Sequence, residues 1–401
     1  MAKISTLSAS TIMLTSMFGA GVLSFPESFN NAGYLITTIF IIFVGYLTVM
    51  SLYAIAMSAR YTKKKNTTYA EICNHAHKIL GVFTDIFSLL NSIAFSMIYI
   101  IFISKWIYSV ISSTFNTSKI SKSIIALITL VLLFFPASQK NIKAMKFISL
   151  ASILSFLFLI LLILYYAFTI KPLKIPMNAV GRSVGSGLSP LLLAFGAHSN
   201  MVNIYNNLKK RTSLSLFKVA LYSTVAASIL FFSIGFIPYI LFKSKCNTDI
   251  LTLLNDSNTI PCKAILNTWD KNLILPKMAI VEFCFVLSSS FCLQINPGRQ
   301  SFTNLIERLN IKKIKEHTTI VRYCITLLYC LSSFLIVYFD INVNFVISLV
   351  CAIPLTSICY VFPSIAYYFV AEKRNMVFKL IMFNGILGVG IMIFLLVDIF
   401  I

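Results

Sequence analysis

Charged side chains are scarce in this 401-residue chain: 11% of the residues are Asp, Glu, Lys or Arg, against roughly 25% in soluble globular proteins. Acids are the rarer sign, 12 against 33 bases, and only 4 histidines are present. No stretch is polar enough to build a soluble domain with a core of its own, so the 401 residues read as one domain. The scattered histidines form no Ser/His/Asp or His/Glu spacing, so a membrane enzyme has no candidate centre, and no cofactor or metal is expected. His75 and His77 near Cys73 are one His-x-His in a loop, a weak signal for a metal site. What remains is apolar: 58% hydrophobic residues, 35 of them Phe, and a mean hydropathy of +0.88. The fold class is an all-α integral membrane protein, a single transmembrane domain over residues 1–401.

Segments of about 20 apolar residues, the length that crosses a bilayer as a helix, number eleven: 7–29, 34–59, 81–111, 120–136, 146–170, 186–208, 217–242, 275–298, 318–339, 342–369 and 376–400. The first is longer than the apolar part of a signal peptide and is followed by many more, so it reads as a retained span. Loops on the side of the N-terminus carry 22 of the 33 Lys and Arg residues and the opposite loops 10, with Lys105 inside a span. By the positive-inside rule the N-terminus is cytosolic, and an odd number of crossings puts the C-terminus on the other side. The net charge of +21 therefore reports topology, and no nucleic-acid partner is expected. Asp85 and Lys105, near opposite ends of the third span, read as side chains snorkelling to their own interfaces. The partner is the lipid bilayer, and the protein is taken to act as a monomer.

Two spans are interrupted. The first holds Gly19-Ala20-Gly21 twelve residues after Leu7, about 18 Å along a helix; the sixth holds Gly196 through Asn200, which begin ten residues after Ser186, about 15 Å. Both breaks fall near the middle of a hydrocarbon core roughly 30 Å thick. Small residues also serve close helix packing. Backbone that is not helical is tolerated at that depth only where it lines a cavity enclosed by protein. A pair of broken helices at matching places in two halves points to an inverted-repeat secondary transporter. The second half of the first helix would aim the positive end of its dipole at the gap, where a carboxylate is favoured.

Gly19-Ala-Gly-Val-Leu-Ser-Phe-Pro-Glu-Ser-Phe-Asn-Asn-Ala-Gly-Tyr34 resembles the opening of the amino acid/auxin permease family, whose members include neutral and vacuolar amino acid transporters. Ala194-Phe-Gly-Ala-His-Ser-Asn-Met-Val-Asn-Ile-Tyr205 is similar to that family's sixth-helix signature, with His198 at its histidine; Phe291-Cys-Leu-Gln-Ile-Asn-Pro-Gly-Arg299 and Val361-Phe-Pro363 resemble the ends of its eighth and tenth helices. The resemblance runs in order across the chain. It implies the leucine-transporter fold: a first five-helix repeat over 6–170, an inverted second repeat over 186–369, and an eleventh helix over 376–400. It implies transport of amino acids by alternating access, across a plasma membrane or a vacuolar or lysosomal one. Thr15 stands where many relatives carry an Asn that serves sodium-coupled members as an ion ligand, and Cys292 and Ser199 replace frequent prolines. Together with few buried acids, Thr15 favours H+ over Na+ as the coupling ion.

The expected substrate site follows. The carboxylate of an amino acid would meet the N–H groups of Gly19, Ala20 and Gly21. Its ammonium would meet carbonyls at Met17 and Phe18 and at the second break, Phe195 and Gly196, while Phe195 and His198 shape a side-chain pocket. Candidate ion ligands are Thr15, Glu282, Ser288 and Ser290; the serines equally suit bonds to their own helix, and Glu282 equally suits a vestibule carboxylate paired with Lys277. Cys246 and Cys262 share the long loop 243–276 on the oxidising side and are expected to form a disulfide. Asn116 and Asn255 head sequons on that side and are candidate glycosylation sites. An amino acid sensor on the same fold, or a carrier of another small solute, remains as an alternative.

Overall fold

Continuous apolar sequence, interrupted by glycine and proline at a few points, produces a bundle of long helices. The computed structural model describes residues 4–62, 67–115, 120–139, 145–256, 258–266, 273–308, 318–372 and 374–400. The first crossing is in three pieces, α1 (Thr6–Met17), α2 (Ala20–Leu23) and α3 (Phe25–Ala32). Then come α4 (Tyr34–Tyr61), a short α5 (Tyr69–Ala76), α6 (Lys78–Phe115), α7 (Lys122–Ser138) and α8 (Met145–Thr169). The sixth crossing is in two pieces, α9 (Val184–Phe195) and α10 (His198–Asn207), and α11 (Ser213–Phe242) follows. The next loop carries α12 (Ile250–Asn255) and α13 (Ile260–Leu266) and leads to α14 (Ile274–Arg308) and α15 (Thr318–Tyr338). The last two crossings are α16 (Val343–Val370) and α17 (Met376–Phe400). Among the described residues 8 helices are long and apolar enough to cross a membrane; the 17-residue α7 and the two interrupted crossings complete the eleven expected spans. The only β pairing among the described residues is one isolated bridge, Ile4 with Leu208.

Local chemistry sets the ends. Ser5 caps α1, Thr212 caps α11, and Thr68 with Glu71 forms a reciprocal capping box on α5. Leu132, Phe135 and Ile386 are among the large apolar side chains exposed on the outside, as a lipid-facing surface requires. The longest interface joins α6 to α14, and each end of α6 is tied by charge. At the N-terminal side, Asp85 is fully buried and accepts from Asn304 at 3.0 Å and from Arg308 at 3.3 Å. At the far side, Lys105 donates to Asp249 at 2.8 Å and to Thr248 at 2.7 Å. Neither residue snorkels as expected: a charge at a helix end finds a protein partner when another element covers that end.

The half-helices are joined in pairs. Ile4 N–H donates to Asn207 O, and Lys209 N–H to Ile4 O, both at 2.9 Å, pinning the start of α1 to the end of α10. On the far side Gly181 N–H donates to Ala32 O at 2.8 Å and Ser183 N–H to Asn31 O at 3.0 Å, pinning the end of α3 to the approach to α9. Gly33 makes this possible with φ +86°, a backbone that disfavours any side chain. In α16 two π-helical turns, Cys351–Leu355 and Ser357–Val361, open the hydrogen-bond ladder. Tyr69 Oη donates to the Ile358 carbonyl there at 2.6 Å.

Two expectations for the far-side loops meet a different structure. Cys246 and Cys262 form no disulfide: both are free and buried, with the Cys246 thiol turned to the Pro238 carbonyl at 3.6 Å. Burial pushes both thiols up, Cys262 to about 12. Neither should therefore react with maleimide at pH 8 in the folded protein, and both should react after unfolding without reductant; mass mapping that recovers a 246–262 bridge would refute this. Asn255 is covered in this fold. Its side chain is fully buried, and the Nδ2 atom that would carry the sugar donates to Ser109 Oγ at 2.8 Å. Asn116 lies outside the described residues.

Candidate functional site

The two breaks meet. Phe18 closes α1 in an extended conformation (φ −77°, ψ 97°), Gly19 is fully extended (φ −142°, ψ −174°), and the helix restarts at Ala20. Phe18 N–H turns back to Thr15 O at 3.2 Å. Among the described residues, the N–H groups of Gly19, Ala20 and Gly21 and the carbonyls of Ser16, Met17 and Phe18 have no backbone partner. At the second break Gly196 N–H returns to Leu193 O at 3.2 Å and Ala197 N–H to Phe195 O at 2.9 Å, after which α10 begins. Unpaired donors and unpaired acceptors thus occur within one short stretch, the combination that suits a zwitterion.

The two glycines of the first break differ. A Cβ on Gly19 would have no atom within 4 Å, so the backbone there borders open space. A Cβ on Gly21 would stand 2.9 Å from Pro190 O and 3.0 Å from Ala194 N on α9. Gly21 is a close-packing residue that lets α2 lie against α9; Gly19 opens the site. Gly196 is likewise tight, 2.8 Å from Leu355 Cδ1. The packing reading of the motif thus applies to Gly21 and Gly196, while Gly19 borders open space.

Aromatic rings enclose the break. Phe231 on α11 makes edge contacts with Phe25 (5.3 Å) and Phe195 (5.2 Å) and lies 6.3 Å from Phe18. Phe18 also meets Phe156 of α8 at 4.5 Å, and Phe156 meets Phe283 of α14 at 5.0 Å. Phe283 contacts Trp106 at 6.5 Å, and Trp106 Nε1 donates to Asp249 at 2.8 Å. One chain of rings therefore runs from the break to the far-side ion pair. Phe231 and Phe156 were not singled out in the sequence, where they are two of 35 phenylalanines with no local mark.

Phe18 and Phe195 both pack on Phe231, and Gly21 lies against α9 one residue short of Phe195; His198 has other partners. Its ring is buried, with Nε2 at 2.6 Å from Ser51 Oγ on α4 and the plane edge-on to Tyr360 of α16. It braces the start of α10 against two neighbouring helices, α4 and α16. Thr15 donates its hydroxyl to Ile12 O at 2.9 Å and Ser290 to Val286 O at 2.8 Å, the intrahelical bonds of serine and threonine. Ser288 is half-buried on α14, and Glu282 accepts a hydrogen bond from Ser155 of α8. No group of three or more His, Cys, Asp or Glu that could hold a metal occurs among the described residues.

Broken helices that meet around unpaired backbone, inside a bundle of eleven crossings, are the framework of a solute carrier. Among curated proteins none matches the chain closely enough to count as a relative. A family model described as transmembrane amino acid transporter protein matches residues 2–401, nearly the whole length, so the chain belongs to the transmembrane amino acid transporter family.

Proposed function

We propose that this protein moves amino acids across its membrane by alternating access, on two inverted five-helix halves with α17 outside them, and that the movement is coupled to protons. The reading rests on one observation above others: free N–H groups at Gly19–Gly21 stand beside free carbonyls at Ser16–Phe18, with open space at Gly19. The substrate's carboxylate sits on the former and its ammonium on the latter. Phe18, Phe195 and Phe231 surround its side chain. The pinning of α1 to α10 on one side and of α3 to α9 on the other supports paired movement of half-helices about this point. Protons are favoured because Thr15 stands where sodium-coupled members of the family carry an Asn as ion ligand.

The test is uptake of radiolabelled L-amino acids by proteoliposomes of the purified protein under imposed gradients. Accumulation driven by a pH gradient at equal sodium is expected. Accumulation that follows sodium and ignores the pH gradient would remove the proton coupling, and no uptake or exchange of any amino acid would remove the transport reading.

A further inference from the structure

On the far side, a polar cavity of about 240 Å³ is lined by Ser24 and Glu27 of the first crossing, Lys105 of α6, Thr248 and Asp249 of the loop, and Asn344 of α16. Glu27 is an acid inside an interrupted span, and such acids are costly to retain without a role. Its carboxylate accepts from a neutral amide, Asn344 Nδ2, at 2.7 Å. The ion pairs among the described residues are Lys105–Asp249, Lys122–Asp340 and Arg308–Asp85; none involves Glu27. The cation in the cavity is already engaged, since Lys105 donates to both Thr248 and Asp249. Ser24, one turn before Glu27 on the same helix face, is buried, and its hydroxyl has no partner in the structure. In the chain it lies between Glu27 and the break at Gly19–Gly21.

We propose that Glu27 binds the coupling proton of the transport cycle, with Ser24 as the hydroxyl that joins it to the substrate break. The proposal rests on the transport reading above and adds the residue that couples it. When the far side is open, water reaches the carboxylate and a proton adds to one carboxylate oxygen. When α3 and α16 close together, Asn344 covers the carboxyl group and the uncharged acid crosses without a buried, unpaired anion, whose burial would be costly. When the other side opens, the O–H bond breaks and the proton leaves by Ser24 and water. The charged groups that face Glu27 are Lys105 from α6 and Asp249 from the loop; the turn Lys243–Lys245, packed against α3, adds two lysines. α9 and α11 present no charged side chain to it.

The experiment compares wild type with Glu27→Gln in proteoliposomes, using a mixture of radiolabelled L-amino acids. Two modes are measured: exchange at equal pH, which needs no net proton movement, and accumulation driven by an imposed pH gradient. Glu27→Gln imitates the protonated acid, so exchange should persist and lose its pH dependence, while gradient-driven accumulation falls to the level without a gradient. Retained gradient-driven accumulation overturns the proposal. Loss of exchange in a folded Glu27→Gln protein assigns Glu27 to the substrate and also overturns it. A wild type that exchanges amino acids but ignores pH defeats the proposal and leaves the transport reading standing, whereas a wild type with no exchange defeats the transport reading itself. If Glu27→Gln does not assemble, Asn344→Leu decides. It keeps the acid and removes the amide that favours its charged form, so the pH midpoint of exchange should move upward; an unmoved midpoint overturns the assignment.

Discussion

Gly19→Leu is expected to give a protein that folds with nearly the wild-type melting temperature and binds no amino acid, while Gly21→Leu is expected not to fold. The two glycines are two residues apart in one motif, yet a Cβ on Gly19 meets nothing within 4 Å and a Cβ on Gly21 meets backbone atoms of α9 at 2.9 and 3.0 Å. Backbone cannot move aside as the tip of a side chain can, so α2 must separate from α9. Overpacking of this kind costs about 1–3 kcal/mol even where the neighbours relax, and a leucine against main chain belongs at or above the upper end. At Gly19 the same leucine occupies the space next to the free N–H groups. A bound substrate stabilises the wild type by RT ln(1 + [L]/Kd), about 2.7 kcal/mol at a ligand concentration of about 100 Kd. The deciding measurement is the melting temperature of each purified variant with and without the amino acid that the wild type transports. A Gly19→Leu protein that keeps the full ligand-induced shift would exclude the break as the site.

Asp249→Ala should be the most damaging polar substitution on the far side. One carboxylate, almost without solvent exposure, accepts from Lys105 at 2.8 Å, from Trp106 Nε1 at 2.8 Å, and from the Thr252 N–H and hydroxyl at 3.0 and 2.8 Å. Its loss strands an ammonium, an indole N–H and the first turn of α12, and removing one partner of a buried ion pair typically costs about 3–5 kcal/mol. Burial alone would push this carboxyl group up, but the Lys105 ammonium and the Thr252 hydrogen bonds hold it below the usual aspartate range. The sign of the pH dependence follows. A lowered value in the folded state means that the stabilisation is complete above the ordinary aspartate value near 3.9 and fades as pH falls below it. The gap in stability between wild type and Asp249→Asn, read by thermal melts, should be constant from about pH 5 to 8 and shrink only in stronger acid. A gap that shrinks already near neutral pH would contradict the assignment.

The number of crossings and the two places where they break were legible in the chain because the bilayer imposes a length rule and helix interiors tolerate few glycines. Tertiary contacts determined the rest. Gly19 and Gly21 look equivalent in sequence, and only the position of α9 separates a packing residue from one that borders open space. Lys105 and Asp85 read as snorkelling side chains until Asp249, 144 residues along the chain from Lys105, and Arg308 are brought onto them. Cys246 and Cys262 share a loop and an oxidising side, yet a disulfide requires Cβ atoms to approach closely, and here each thiol is buried without a cysteine partner. His198 occupies the place that the family resemblance gave it, but the direction of its ring was set by Ser51 and Tyr360. Local sequence thus determined which segments cross the membrane and where their helices break, since those depend on hydropathy and backbone propensity within a window of neighbours. Which side chains face the break, which charges are paired and which acid lies unpaired in the far cavity depend on residues far apart in the chain, and only the packing of the helices decided them.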